Sequence, residues 1–487
     1  MILEILNHPY RYEAEKLVRV FFPNETLQIV CEQAAHDGEA VVTTALQNGE
    51  VFVRFADKNG AEEASAEAGS DGELSMMTLL FSVLRARTGY TPKWGLLTGV
   101  RPSKLFWKLK NDRGAGEAAR YFTDTLFVSP EKTALASAVC AQEETALRLS
   151  RPDSCSLYVS IPFCPTRCSY CSFVSQAISA PSARRLMPRY VELLAEELQK
   201  TGALSRALGL RLETVYFGGG TPTTLSAEAL ATLLAAVRES FDLSHLREYT
   251  VEAGRPDTVT AEKLEALKKG GVTRVSINPQ TFNDDVLRAI GRRHTAAETE
   301  EAYRAARAAG FDAINMDLIA GLPGETQASF CRSVDKAVSL GPENVTVHTL
   351  SLKRASNLTA AGAQFDREGA RCADGMLRYA ASALQDAGYA PYYMYRQSKT
   401  LGNLENTGYT KPGHACLYNI YMMEECHTVL GAGAGAVTKL KAPHGADIAR
   451  IFNYKYPYEY IEGFQELLSR KRAIPAFYEA HPAEEGR

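Results

Sequence analysis

From about residue 156 the chain settles into a rhythm of short apolar runs alternating with longer helical stretches, and no other feature restricts its fold as strongly. Strands are expected at 157–161, 214–217, 249–253, 274–278, 313–319 and 344–349, with helices near 182–202, 226–240, 260–269, 283–309, 326–340 and 369–387. Six strand–helix units in series, with mostly apolar strands, predict a parallel sheet clothed by helices. The expected class is α/β: a partial (β/α)6 TIM-like barrel over 151–390. An N-terminal α+β accessory domain (1–150) precedes it, and a C-terminal α+β, substrate-covering region (391–487) follows.

A barrel fits better than a doubly wound sheet because of where the polar residues fall. In a parallel barrel the C-terminal strand ends share one face, and active sites are built there. The first strand leads into a cysteine loop, and the second ends in Gly218-Gly-Gly-Thr-Pro-Thr223. The third carries Glu252, the fourth Asn278 and Gln280, the fifth Asp317 and the sixth His348. A lone Glu or His at a strand end is commonly structural, but six in register point to a site. The Gly triplet lets backbone approach a ligand closely, yet it is neither a P-loop nor a dinucleotide fingerprint. Gly321-Leu-Pro-Gly324 reads as a tight turn into the next helix.

Cys164, Cys168 and Cys171 follow the first strand with C-x3-C-x2-C spacing. A structural zinc site needs four ligands in closed tetrahedral geometry. No fourth Cys or His lies in the next dozens of residues, and Cys155 falls at the other end of the strand. Three thiolates can instead hold an iron–sulfur cluster with one iron left open for a small molecule.

Composition narrows the remaining classes. The 487 residues are 45% hydrophobic and 23% charged, with a net charge of −3. That is an ordinary globular mixture without a global basic field for nucleic acid. The N-terminus, Met-Ile-Leu-Glu-Ile-Leu, lacks signal-peptide features, and no apolar run is long enough to insert in a membrane. Ten scattered cysteines then imply a reducing, cytoplasmic setting. Within 1–150, strands are expected at 27–31 and 50–55, an acidic loop at 57–73, and helices at 76–88 and 115–149. Arg101, Lys104, Lys108 and Lys110 read as a solvated helix face or, less simply, an anion site.

The cysteine spacing and the Gly-Gly-Gly-Thr-Pro run resemble the radical S-adenosylmethionine (SAM) superfamily. Ile161-Pro-Phe-Cys, Cys168-Ser-Tyr-Cys171, Gln280-Thr-Phe-Asn, Arg292, Asp317-Leu-Ile-Ala-Gly-Leu-Pro and Gly431-Ala-Gly-Ala-Gly435 are similar to the oxygen-independent coproporphyrinogen III oxidase family. Leu97-Thr-Gly-Val-Arg-Pro-Ser-Lys-Leu105 resembles its HemZ branch. The resemblance implies a TIM-like radical SAM barrel whose Cys164, Cys168 and Cys171 ligate a 4Fe-4S cluster, with SAM on the fourth iron. Tyr158, Tyr170, Ser172, Gly219, Gly220, Thr221, Glu252, Gln280, Arg292, Asp317, Ser351 and Val437 would contact one or two SAM molecules, Tyr158 also acting in catalysis. The implied enzyme is a coproporphyrinogen dehydrogenase, an oxidoreductase of haem biosynthesis. A 5′-deoxyadenosyl radical takes hydrogen from a substrate propionate, and loss of carbon dioxide and an electron leaves a vinyl group. A tetrapyrrole substrate, a reducing protein such as flavodoxin or ferredoxin, and an unidentified electron acceptor would be its partners. Four substrate carboxylates call for cations; Arg292, Arg293, Arg396 and Lys399 are the candidates.

Two departures keep alternatives open. Ser172-Phe173 stands where characterised oxidases continue with Gly-Cys, a pattern shared with haem-chaperone relatives. His414-Ala-Cys-Leu-Tyr418 keeps the His and Tyr of the chaperones' haem motif but not its Asn and Trp. His414 is thus a degraded haem ligand, an active-site residue or a packed histidine. The functions that follow are an oxidase, a haem-binding chaperone with a radical SAM core, or a radical SAM enzyme on another substrate.

Overall fold

The computed structural model describes residues 1–32, 38–353 and 356–482, and it divides into two compact units. One comprises residues 1–140, 363–374 and 395–405; the other comprises 141–362, 375–394 and 406–487. This differs from the expected three consecutive domains. Two short downstream segments belong with the N-terminal unit because buried groups demand partners there. Glu405 accepts from Trp94 Nε1 at 2.8 Å and from Lys132 Nζ at 2.6 Å. The Arg396 N–H donates to the Val100 carbonyl at 2.7 Å.

The first unit is built on a five-stranded sheet: β1 (Ile2–Leu6), β2 (Gln28–Val30), β3 (Val41–Gln47), β4 (Glu50–Asp57) and β5 (Gly60–Glu67), in spatial order β2-β1-β3-β4-β5. Asn48 and Gly49 join β3 to β4 with φ of 52° and 81°. Such left-handed residues match a two-residue hairpin to the strand twist. Helices Arg11–Phe21 and Gly72–Thr88 share the core with the sheet through Leu17, Phe21, Leu80, Phe81 and Leu84. The acidic run read as a loop is the edge strand β5, paired from Asp57↔Gly60 to Glu50↔Glu67. Its side chains are almost all exposed, so it is held mainly by backbone pairing, with Ala64 on the core and Glu63 beside Arg54, and no apolar pattern marks it. The expected helix 115–149 is Ala115–Arg120, a π turn and Pro130–Leu147, broken at Phe127 with φ 55°.

The remaining strands, all in the second unit apart from residues 395, 396 and 405, are β6 (Ser154–Ile161), β7 (Phe163–Cys164), β8 (Gln176–Ala177), β9 (Arg211–Gly219), β10 (Glu248–Glu252), β11 (Arg274–Ser276), β12 (Ala313–Ala320), β13 (Asn344–Thr349), β14 (Ala390–Arg396), β15 (Glu405–Thr410), β16 (Thr428–Ala432), β17 (Val437–Lys441) and β18 (Ile448–Phe452). The sheet order is β14-β15-β13-β12-β11-β10-β9-β6-β16-β17-β18. The six expected strands are its parallel centre, separated by helices as predicted, and β16 extends the parallel set beside β6. The C-terminal region therefore continues the barrel sheet at its edges. The long helix expected at 283–309 is two, Asp284–Ala289 and Ala296–Ala308. Gly291 (φ 79°) turns the chain between them, and a Thr295–Glu298 capping box restarts it.

Candidate functional site

The parallel strands alternate. Val251, Val275, Ile314, Met316, Leu318, Val345 and Val347 are buried apolar residues. The positions between them are polar and bond to one another. Ser276 Oγ donates to Asn278 Oδ1 at 2.6 Å. Asn315 Nδ2 reaches Ser276 Oγ (2.9 Å) and Asp317 Oδ1 (2.7 Å), and Thr346 Oγ1 reaches Asn315 Oδ1 (3.1 Å). Alternation puts these side chains on one face, a hydrogen-bonded polar face with the apolar face turned away. It ends, at the C-terminal strand ends, in Glu252, Asp317 and His348.

Burial pushes the Glu252 carboxyl up to about 7, although Tyr216 Oη donates to it at 2.6 Å. Burial also opposes charge on Asp317. There the bond and charge of His348, 3.7 Å away, with Asn315 and Thr346, hold the carboxyl below its ordinary range. Register places Tyr158 beside Tyr216. Tyr418 completes a stack, its ring 4.5 Å from Tyr216 and 6.1 Å from Tyr158. Gln280 takes a left-handed φ of 68°, rare for a residue with a Cβ. Its N–H donates to the Asp317 carbonyl and its own carbonyl accepts from Ile319, tying it to β12.

The cysteine loop runs between β7 and β8, which pair with each other. Ser169 N–H donates to the Ile290 carbonyl, and Cys171 N–H to the Cys168 carbonyl, which makes the turn. Thr221 Oγ1 lies 3.6 Å from Cys164 Sγ, and Arg255 Nη1 lies 3.8 Å from Cys168 Sγ. Arg255 is itself held by Asp257 at 3.1 Å. Arg292 is buried, donating to the carbonyls of Gly254 (3.0 Å) and Asn278 (2.8 Å) and to Tyr170 Oη (3.2 Å). Burial, with the neighbouring thiols Cys168 and Cys164, pushes Cys171 up to about 11.

The glycines serve the loop. A Cβ on Gly220 would stand 2.6 Å from the Phe163 carbonyl oxygen, and Gly219 adopts φ 107°. Their close approach lets Gly220 and Thr221 N–H groups bond the Ile161 and Phe163 carbonyls, each at 2.8 Å. On the other flank of β6, Gly433 packs against Ser160, where a Cβ would meet the carbonyl at 2.5 Å. Buried Glu197 accepts from Gly433 N–H (2.7 Å), Tyr460 Oη (2.6 Å) and Asn453 Nδ2 (2.8 Å), and pairs with Lys471 (2.9 Å). Val437, half-buried, opens β17 just beyond this stretch.

Residues 158–337 match the family model described as "Radical SAM superfamily". Over 394 residues the chain is 42% identical to the oxygen-independent coproporphyrinogen-III oxidase-like protein HemZ of Bacillus subtilis (strain 168), covering 80% of this chain and 78% of that protein. The chain belongs to the radical SAM superfamily, in the family that holds HemZ and HemW. The heme chaperone HemW of Haemophilus influenzae is 30% identical over 333 residues, 66% of this chain and 78% of that one. The fold also matches that of coproporphyrinogen III oxidase HemN from Escherichia coli, a radical SAM enzyme, with TM-score 0.51 and 23% identity over 66% of this chain and 71% of the other.

A radical SAM member implies a cluster, and the loop fits one in kind. Its three thiols are the ligand type that iron–sulfur clusters take, and hydroxyl and guanidinium donors already face two of the sulfurs. Among the described residues no three His, Cys, Asp or Glu side chains are gathered tightly enough to hold a metal ion as they stand. Ser172 is half-buried beside Cys171, and Ser351 is half-buried two residues past β13.

Three sequence expectations are corrected. Arg396 is not available to a substrate carboxylate: its guanidinium donates to the Leu97 (2.5 Å) and Asn403 (3.3 Å) carbonyls and lies over the Trp94 ring, and burial lowers its pKa to about 10. Arg292 is buried too, its guanidinium bonding the Gly254 and Asn278 carbonyls and Tyr170 Oη, whereas Arg293 and Lys399 are exposed. His414 lies at the strand-start pole, not with the cysteines, since its carbonyl accepts from Arg274 and Asn344, which open β11 and β13. That removes the active-site reading. Sequence reasoning missed Arg255 and Tyr216, and read Tyr418 only as part of a haem-type motif. Arg255 follows Glu252 closely on the strand-end loop, and the polar alternation along β10 to β13 was a readable signal. The stacking of Tyr418 had no such signal, because only the folding of its helix against β9 brings it in.

Proposed function

We propose that the protein is a SAM-dependent, oxygen-independent coproporphyrinogen dehydrogenase, converting coproporphyrinogen III to protoporphyrinogen IX in cytoplasmic haem biosynthesis. The reading rests on one observation: a three-thiol loop adjoins the C-terminal ends of a polar strand face closed by a tyrosine stack. Cys164, Cys168 and Cys171 would hold a 4Fe-4S cluster, and the cluster with SAM would supply a carbon radical able to take hydrogen from a substrate propionate. Thr221 and Arg255 donate to the sulfurs and favour their thiolate form. Glu252, Gln280, Asp317, Tyr158 and Arg292 are assigned to SAM, together with Gly219, Gly220, Tyr170, Ser172, Ser351 and Val437. Tyr158, Tyr216 and Tyr418 keep water from the reacting carbon. The substrate class follows the HemZ relative, whose name refers to coproporphyrinogen oxidation.

The second reading, a haem chaperone, is favoured by the HemW relative and by Ser172-Phe173 after the third cysteine. An anaerobic assay separates them. Reconstituted protein with SAM, a strong reductant, coproporphyrinogen III and an electron acceptor is expected to give protoporphyrinogen and matching 5′-deoxyadenosine, both lost in Cys168→Ala. Stable haem binding without either product would replace the enzyme reading with the chaperone.

A further inference from the structure

Between Asp153 and Glu192 the chain has four arginines and not one Asp or Glu, although the whole protein carries a net charge of −3. This stretch contains the cysteine loop. Arg167 lies between two of its cysteines and is exposed. Arg184, Arg185 and Arg189 project from the exposed side of the helix Pro181–Ala207, Arg189 pairing with Glu192 at 2.9 Å at the edge of the stretch. The fold draws that helix onto the loop: Arg184 Nε donates to the Ile178 carbonyl, and Ile178 N–H donates to the Cys164 carbonyl at 2.9 Å. Arg293 joins from another element, next to the Gly291 carbonyl that accepts from Thr166 at 3.1 Å. Phe173, two residues past the third cysteine, is 67% exposed. A large aromatic side chain left that open on a half-buried loop is the kind of anchor that interfaces use.

We infer that this arginine-rimmed face around Phe173 is the docking surface for a small acidic one-electron carrier protein. The inference rests on the cluster reading of the cysteine loop. Charge complementarity selects the occupant: an acidic protein gains nothing from the chain's net charge of −3 but is drawn to this face, which steers it to the loop. One electron leaves the carrier, which is oxidised by one equivalent, and enters the cluster, which is reduced by one; no bond forms or breaks. The tetracarboxylate substrate is the other anion to consider. Arg184, Arg185 and Arg189 stand on an outer helix face, whereas a substrate must reach the polar strand face, so the arginines suit a protein better.

The test uses reconstituted full-length protein and a purified acidic flavodoxin as probe. Binding is measured by titration at 50 mM salt, and cluster reduction by flavodoxin hydroquinone is followed by absorbance in stopped flow. Charge reversal in Arg184→Glu/Arg185→Glu is expected to weaken binding and slow reduction at least tenfold, the difference vanishing near 0.5 M salt. Reduction by dithionite is expected to be unchanged. Arg185→Glu/Arg189→Glu repeats the test on side chains that hold no loop carbonyl. Unaltered flavodoxin binding in both pairs would overturn the inference. A raised KM for the tetrapyrrole with dithionite as donor would overturn it too, assigning the arginines to substrate. Failure of the unsubstituted protein to take up iron would remove the cluster reading first, and the docking role with it.

Discussion

Glu252 is a carboxyl with a consequence in solution. Its pKa is raised to about 7 from an ordinary 4.5, with burial as the first cause. Between those values the native state keeps a proton that the unfolded chain has released. Stability contributed by this group therefore falls as pH rises through the window and levels off above it. Glu252→Gln, which can still accept from Tyr216, is expected to be more stable than the parent at pH 8 and equal to it at pH 4. Denaturant melts across that range would show two parallel curves if the carboxyl were ionised throughout. Arg255 offers a second handle. Its guanidinium faces Cys168 Sγ at 3.8 Å while Asp257 holds its other side. Arg255→Gln leaves the aspartate unbalanced beside the sulfur, so a lower midpoint potential of the reconstituted cluster is expected in an EPR-monitored redox titration.

At the scale of elements, β6 is gripped from both flanks by glycine-bearing backbone. On the β9 side, Gly220→Ala would drive a Cβ into the Phe163 carbonyl. Overpacking of this kind costs about 1–3 kcal/mol, and here it displaces the start of the cysteine loop, so iron uptake should fall along with the melting temperature. On the β16 side, Glu197 is the hub for Gly433, Asn453, Tyr460 and Lys471. Removing one member of a buried ion pair costs about 3–5 kcal/mol. Glu197→Leu should therefore destabilise far more than Tyr460→Phe, which leaves the pair intact, and calorimetry would rank them. The strands themselves were legible in sequence because each has an apolar face to bury. β5 was not, because an exposed edge strand lacks an apolar face, and neither was β16, whose Thr-Val-Leu run is short and leads straight into Gly431-Ala-Gly-Ala-Gly435.

At the scale of the whole molecule, the N-terminal unit is discontinuous in sequence. Trp94 and Lys132 both bond Glu405, and the Lys132–Glu405 pair is almost fully buried, each side chain 3% exposed. A fragment ending at residue 140 would leave Lys132 buried without its carboxylate. It is expected to lack cooperative melting, as circular dichroism would reveal, and Glu405→Ala in the full chain should lower the first thermal transition. No helix among the described residues is long and apolar enough to cross a membrane.

The sequence by itself determined the parallel barrel centre, the cysteine loop at the end of its first strand, and the ring of polar residues at the other strand ends. These are local properties: periodicity, spacing and strand-end position are written along the chain. Only the tertiary structure decided that Arg396 bonds the Leu97 and Asn403 carbonyls and that Arg292 bonds the Gly254 and Asn278 carbonyls and Tyr170. It also decided that His414 sits at the far pole, that Tyr418 joins Tyr158 and Tyr216, and that Arg255 meets Cys168. Each depends on which distant group arrives beside a side chain. For a buried charge or hydrogen-bonding group that partner settles its role, because an unpaired one is too costly to keep.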